Sequence, residues 1–134
     1  MAKRNKDLLA DQFARWPNLD FEGAFTTFAV KDGCSERVHI DWNDDRRKFA
    51  YVVAVGQDWT GGDFCCPTLE VTDEKGVRHS GIRIPVRRGQ ILEANTKKLP
   101  HCATMVTSGR RVVFTFFTDK FTTKHTEELS NSVV

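Results

Sequence analysis

The decisive stretch runs from Val38 to Val53 and reads "VHIDWNDDRRKFAYVV". His39 and Asp41 stand two residues apart in it, and a polar turn then leads into strand-forming residues from Lys48 onward. In an extended segment, residues i and i+2 project to one face, so this pair can grip a single ion from a rigid base. Two ligands do not make a site. Metal chemistry needs a third ligand, and catalysis needs room beside it for a substrate.

The chain around this stretch reads as mainly β. From Lys6 to Trp16 the apolar residues Leu8, Leu9, Phe13 and Trp16 fall at helical spacing, and "WPN" ends the pattern because proline disfavours helix in the residue before it. A helix over about 6–16 is expected. Short runs rich in Val, Ile, Phe and Thr follow, separated by the turn signals "KDG", "NDD", "TGG", "DEKG", "RRG" and "SGRR". They predict strands around Phe25–Val30, Arg37–Ile40, Lys48–Val55, Asp63–Cys66, Leu69–Thr72, Ile82–Val86, Gln90–Glu93, His101–Val106 and Arg111–Thr118. Strands at this spacing build a sandwich, jelly roll or barrel, with a β core over about 24–118. "VTDEKGVRHSG" reads as a hairpin with an exposed charged tip, His79 being a loop residue there rather than a ligand. The tail over 119–134 is polar, has no periodic apolar face and is expected to fray.

A chain of 134 residues with no repeats or Gly/Ser linkers reads as one domain over 1–134. Lys and Arg number 20 against 18 Asp and Glu, a formal +2 that lacks the strong cationic profile of a dedicated nucleic-acid binder. No apolar run approaches the roughly 20 residues of a membrane span, and the first residues lack the apolar stretch of a secretory signal. An intracellular protein, cytoplasmic or nuclear, with no membrane partner is expected. Cys34, Cys65, Cys66 and Cys102 are too irregularly placed for a disulfide framework and read as reduced thiols, Cys65 and Cys66 as small half-buried strand residues.

A third ligand is at hand. "LPHCATMV" places His101 at the beginning of a late strand, and rolling the sheet into a double-layered barrel sets that beginning beside the strand end carrying His39 and Asp41. Two imidazoles and a carboxylate on one face of a metal leave open positions, the arrangement of non-haem Fe(II) oxygenases. Such an iron needs an electron-donating co-substrate, most commonly 2-oxoglutarate, whose distal carboxylate suits an arginine fork. In "SGRRVVFTFF", Arg111, Val113, Thr115 and Phe117 share one face of a strand and Arg110, Val112, Phe114 and Phe116 the other. Arg111 with Thr115 makes the carboxylate clamp, and Arg110 is the second choice.

At this point the chain resembles the Fe(II)/2-oxoglutarate-dependent dioxygenases. The resemblance rests on His39-x-Asp41, then Gly61-Gly62 before a strand, then "PVRRGQILEANTKKLPH" ending in His101, then Gly109-Arg110-Arg111, in that order over roughly Phe25 to Thr118. "HxDwnDd" followed by "tGGdf" is most similar to small fungal-type oxygenases and, more distantly, to the TET/JBP group that oxidises 5-methylpyrimidines in DNA. The resemblance implies a double-stranded β-helix of jelly-roll or cupin type with a short N-terminal helix. It also implies Fe(II) held by His39, Asp41 and His101, 2-oxoglutarate held by Arg111, and O2 and 2-oxoglutarate as co-substrates. Hydroxylation or oxidative demethylation of a C–H group would follow.

The neighbouring residues admit two readings each. Tyr51 is either a hydrogen-bond donor to the co-substrate or a core tyrosine with a backbone partner. Trp42, Asn43 and Asp44 either contact substrate or orient His39, yet Asn-Asp-Asp is also ordinary turn chemistry. Trp59 stacks on a base or caps the barrel. The basic clusters at 46–48, 87–88 and 97–98 are solvated charge if scattered, and phosphate contacts if gathered around the metal. Nucleic acid is therefore one candidate partner. A protein side chain or small metabolite is the alternative substrate, and a non-catalytic cupin-like binding module the alternative function.

Overall fold

The computed structural model describes residues 2–20, 25–33 and 35–131, so Cys34 lies outside the described residues. The chain opens with the helix α1 (Ala2–Arg15), followed by a 3-10 turn at Pro17–Leu19. Leu9 and Phe13 are buried on one side of α1, whereas Trp16, expected on the same face, is exposed.

Seven strands among the described residues form two antiparallel sheets. The major sheet has the order β1-β7-β2-β5, from β1 (Thr27–Asp32), β7 (Val106–Phe117), β2 (Ala50–Gly61) and β5 (Ile91–Ala94). The minor sheet has the order β4-β3-β6, from β4 (Arg78–Ile84), β3 (Phe64–Thr72) and β6 (Cys102–Ala103). The chain thus crosses between sheets at β2–β3, β4–β5, β5–β6 and β6–β7, and two sheets face each other as in a jelly roll or double-stranded β-helix. Period-2 burial along β2 shows the pleat at work: Ala50, Val52 and Ala54 are buried, while Tyr51, Val53 and Val55 are not. Ala54 meets Phe64, Cys66, Val86 and Ala94 in the core, with Trp59, Leu69 and Leu92 packed against them.

Several predicted boundaries move. The Lys48–Val55 strand starts later and runs past Val55 into "TGG", ending at Gly61: the β2–β7 ladder continues through Gly56↔Arg111 and Gln57↔Arg110 to Gly61↔Val106, with register shifts on either side of Thr60. Glycine is required here. A Cβ on Gly56 would stand 2.0 Å from the carbonyl oxygen of Arg110. Asp63–Cys66 and Leu69–Thr72 fuse into β3, whose ladder to β4 shifts register between Cys66 and Glu70, where Pro67 has no N–H to donate. Arg37–Ile40 shrinks to one bridge, His39↔His101. His79, expected in a loop, sits on β4, exposed and paired with Asp73 at 2.9 Å.

The largest correction concerns the tail. Instead of fraying, it forms the helix α2 (Lys120–Asn131). A capping residue stands in for the missing apolar stripe, the Asp119 carboxylate accepting the Phe121 N–H at 2.7 Å. Thr123 is buried, and its hydroxyl accepts from the Lys48 ammonium at 3.5 Å, which docks α2 on the turn before β2. No helix among the described residues is long and apolar enough to cross a membrane.

Candidate metal centre

The bridge that replaces the Arg37–Ile40 strand is what assembles the site. His39 and His101 exchange both backbone hydrogen bonds at 2.9 Å, which sets their side chains next to each other with ring centroids 4.4 Å apart. The Asp41 N–H donates to the Thr96 carbonyl at 3.1 Å, and the chain then turns, the Asp44 N–H donating to the Asp41 carbonyl at 3.1 Å. The Asp41 carboxylate consequently reaches both rings, 3.4 Å from His39 Nε2 and 3.7 Å from His101 Nε2. One ligand atom from each of the three residues lies within 4.8 Å of the others.

The tautomers follow from the partners. His39 Nδ1 lies 2.8 Å from the Arg37 carbonyl and His101 Nδ1 lies 2.9 Å from the Leu99 carbonyl. A carbonyl oxygen only accepts, so in each ring Nδ1 carries a proton, which leaves Nε2 as the nitrogen through which the imidazole can bind a metal. His101 is buried and stacks on Phe64 at 5.1 Å. Burial lowers its pKa, as do the charges of His39 and Lys31, against the opposing pull of the Leu99 carbonyl and Asp41; the ring is held in the neutral, ligating form.

Beside the triad lies a cavity of about 210 Å³ whose wall includes Asp44, Val52, Phe64, Thr96, Arg111 and Thr115. Arg111 is 4% exposed, its Nε is buried without a hydrogen-bond partner, and burial lowers its pKa while Asp63 pulls it back. Gly62 makes room for it, since a Cβ there would stand 2.6 Å from Arg111 Cδ and 2.9 Å from Nε. Arg110 does not reach the cavity. It projects from the other face of β7 and forms a two-pronged pair with Asp32.

The remaining predicted residues divide. Asp44 lines the cavity, its carboxylate accepting the Thr96 hydroxyl at 2.9 Å, and burial pushes its pKa up to about 6 with help from Asp41 and Asp119. Asn43 and Trp42 do not line it. Both are exposed, and Lys97 lies 4.9 Å from the Trp42 ring centre. Tyr51 is also absent from the cavity wall: Val52 takes the inward position, and the pleat turns Tyr51 to the opposite face, where its hydroxyl is buried without a partner. Trp59 packs on the core. Of the basic clusters, Arg46, Arg47 and Lys97 gather with Lys120 and Lys124 along a shallow depression that shares Asp44 with the cavity. Arg88 instead bonds the Gly56 carbonyl in a separate groove.

Sequence reasoning missed four cavity residues of consequence, Lys31, Glu36, Phe64 and Thr96. Lys31 carried a usable signal, since it alternates with Ala29 on a predicted strand neighbour; Glu36 and Thr96 lie in irregular segments with no periodicity to read.

No protein-family model matches the sequence, and no curated protein matches it. The fold has solved counterparts. The structure of NgTET1 in complex with 5mC DNA superposes with a TM-score of 0.58 at 15% identity, over 90% of this chain and 50% of that one. This chain therefore spans about half the length of that structure, and the likeness is one of fold.

Proposed function

We propose that the chain is an Fe(II)- and 2-oxoglutarate-dependent dioxygenase. The observation that supports this best is the convergence in one cavity of two Nε2 lone pairs and a carboxylate with a buried arginine whose Nε lacks a partner. The donor set suits a borderline divalent ion with open positions, and the orphaned guanidinium suits a carboxylate. His39, Asp41 and His101 would hold the iron. Arg111, with the Thr115 hydroxyl on the same face, would hold the distal carboxylate of 2-oxoglutarate. When both are bound they would activate O2, the oxidant: one oxygen atom would go to 2-oxoglutarate, giving succinate and CO2, and the other would hydroxylate a substrate C–H.

The protein's own part is positioning. The carbonyls of Arg37 and Leu99 fix both rings, Gly62 leaves space for the Arg111 stem, and the buried Phe64 and Val52 give the cavity an apolar wall. Asp44 offers a hydrogen-bonding carboxyl at the cavity wall for a polar edge of substrate.

For substrate, a methylated base in nucleic acid is the reading we favour. The exposed Trp42 offers a stacking surface, and the lysines and arginines beside it a track for phosphates, contiguous with the cavity through Asp44. The 5mC DNA complex of NgTET1 agrees with this choice. The test of the core reading is anaerobic titration of the Fe(II)-loaded protein with 2-oxoglutarate, following its weak visible charge-transfer band. A band that His101→Ala abolishes is the expected result. Its absence from a folded, iron-loaded protein would overturn the oxygenase reading in favour of a binding module.

A further inference from the structure

Arg111 is not the sole cation on the inner face of the major sheet. Lys31 lines the same cavity from β1. In the β1–β7 register it stands opposite Val113, two residues from Arg111, so the two cations are diagonal neighbours, a spacing of roughly 7–8 Å that long side chains bridge. Water screens Lys31, whose side chain is 47% exposed, but not the buried Arg111, and an anion lying between the two would satisfy both.

In the structure Lys31 has found such an anion within the chain. Its ammonium pairs with the Glu36 carboxylate, which also lines the cavity. Glu36 is itself anchored, its N–H donating to the Ala103 carbonyl at 3.0 Å, on the segment that continues into His39. The ion pair therefore ties the end of β1 to the segment that leads into His39. Arg111 Nε, by contrast, has no partner. The inner face thus presents two cations and the Thr115 hydroxyl, with one internal carboxylate already occupying one of the cations.

We propose that Lys31 is a second cationic contact for the dianionic 2-oxo acid, and that Glu36 is its internal stand-in, a carboxylate of the chain that the ligand's carboxylate displaces. This inference rests on the 2-oxoglutarate reading above and adds to it a residue and a competing contact. It separates from an ordinary surface ion pair in one respect. A pair that merely braces the loop is weakened by loss of either partner, whereas a stand-in opposes the ligand, so its removal must tighten binding.

The test is calorimetric titration of 2-oxoglutarate into the full Fe(II)-loaded chain under anaerobic conditions, which reads affinity without turnover. Lys31→Met is expected to weaken binding about tenfold, and Lys31→Arg, which keeps the charge, to stay within about threefold of wild type. Glu36→Gln is expected to tighten binding about threefold, and that gain should shrink in the Lys31→Met background. Melting curves on each variant establish that it is folded. If Lys31→Met binds within twofold of wild type while Arg111→Met does not bind, the inference fails and the oxygenase reading stands. A Glu36→Gln that weakens binding would likewise overturn it, making the pair a brace. If wild type itself binds no 2-oxoglutarate, both readings fall together.

Discussion

Arg110 and Arg111 are consecutive residues of β7, and the pleat sends them into opposite surroundings. Arg110 has a side chain 73% exposed and pairs at 2.7 Å with Asp32, whose side chain is 53% exposed. Arg111 is 4% exposed, faces the cavity beside His39, Asp41 and His101, and keeps an unpaired Nε. The two differ in what water can do for them. Solvent replaces the partner of Arg110 at almost no cost, whereas a guanidinium without solvent must be satisfied by something that enters the cavity. Around Arg110 the outward face of the major sheet is accordingly ordinary surface, and around Arg111 the inward face is specified by what it lacks.

The sharpest way to break this comparison is to remove the inward member. Arg111→Met should cost about 3 kcal/mol of 2-oxoglutarate affinity, on the order of a hundredfold, as expected for loss of a desolvated charge-assisted pair. Gly62→Ala should mimic it in part, because the added methyl meets Arg111 Cδ at 2.6 Å in a backbone of φ +69°. Titration calorimetry on both variants checks the pair, and equal affinities for wild type and Arg111→Met would reverse the assignment of faces.

How much of this was legible in the sequence depends on which interactions were local. The two faces of β7 follow from alternation alone, which separates Arg111 from Arg110 but does not say which of the two faces is buried. His39, Asp41 and His101 were legible because HxD spacing is local and the distant histidine follows a proline at a strand start. The bridge that joins them was not: His39 and His101 are separated by 62 positions, and nothing in the residues between them encodes their pairing. The helix α2 was missed because its stability comes from a cap at Asp119 and from docking through Thr123 rather than from an apolar stripe. Tyr51 and Trp42 were attractive by proximity in the chain, but the pleat and the turn carry them away from the cavity.

Asp44 and Asp45 repeat the lesson of the arginines on a smaller scale. Burial presses on both, but Arg47 supplies Asp45 with a backbone and two side-chain hydrogen bonds that outweigh it, bringing its pKa down to about 2. Its folded value lies below the unfolded 3.8, so its contribution is complete above about pH 4 and is lost as pH falls through 2. Asp45→Ala should cost about 2 kcal/mol at pH 7 and much less at pH 2, by urea melts at both. Asp44 has one hydroxyl, and its pKa stands at about 6. A folded value above 3.8 means that its ionised form is penalised: the penalty is complete above about pH 6 and vanishes below about 4, so stability from this group falls as pH rises across that window. Asp44→Asn, which still accepts from Thr96, should stabilise the metal-free protein by about 1 kcal/mol at pH 8 and leave it unchanged at pH 4.

The smallest expected effect closes the comparison from the other side. Arg110→Ala removes a guanidinium that bonds Asp32 through Nε at 3.2 Å and through the terminal nitrogen at 2.7 Å, a geometry that looks stronger than anything Arg111 has. Both partners are exposed, and the Asp32 pKa is lowered chiefly by that hydrogen bond. Salt and water screen such a pair, and holding two long side chains together offsets most of what remains. Arg110→Ala should therefore shift the melting temperature by no more than a degree or two in physiological salt. It should also leave 2-oxoglutarate affinity within twofold. A larger loss of affinity, with the melting temperature unchanged, would mean that the outward face communicates with the cavity and that the pleat does not isolate the two arginines.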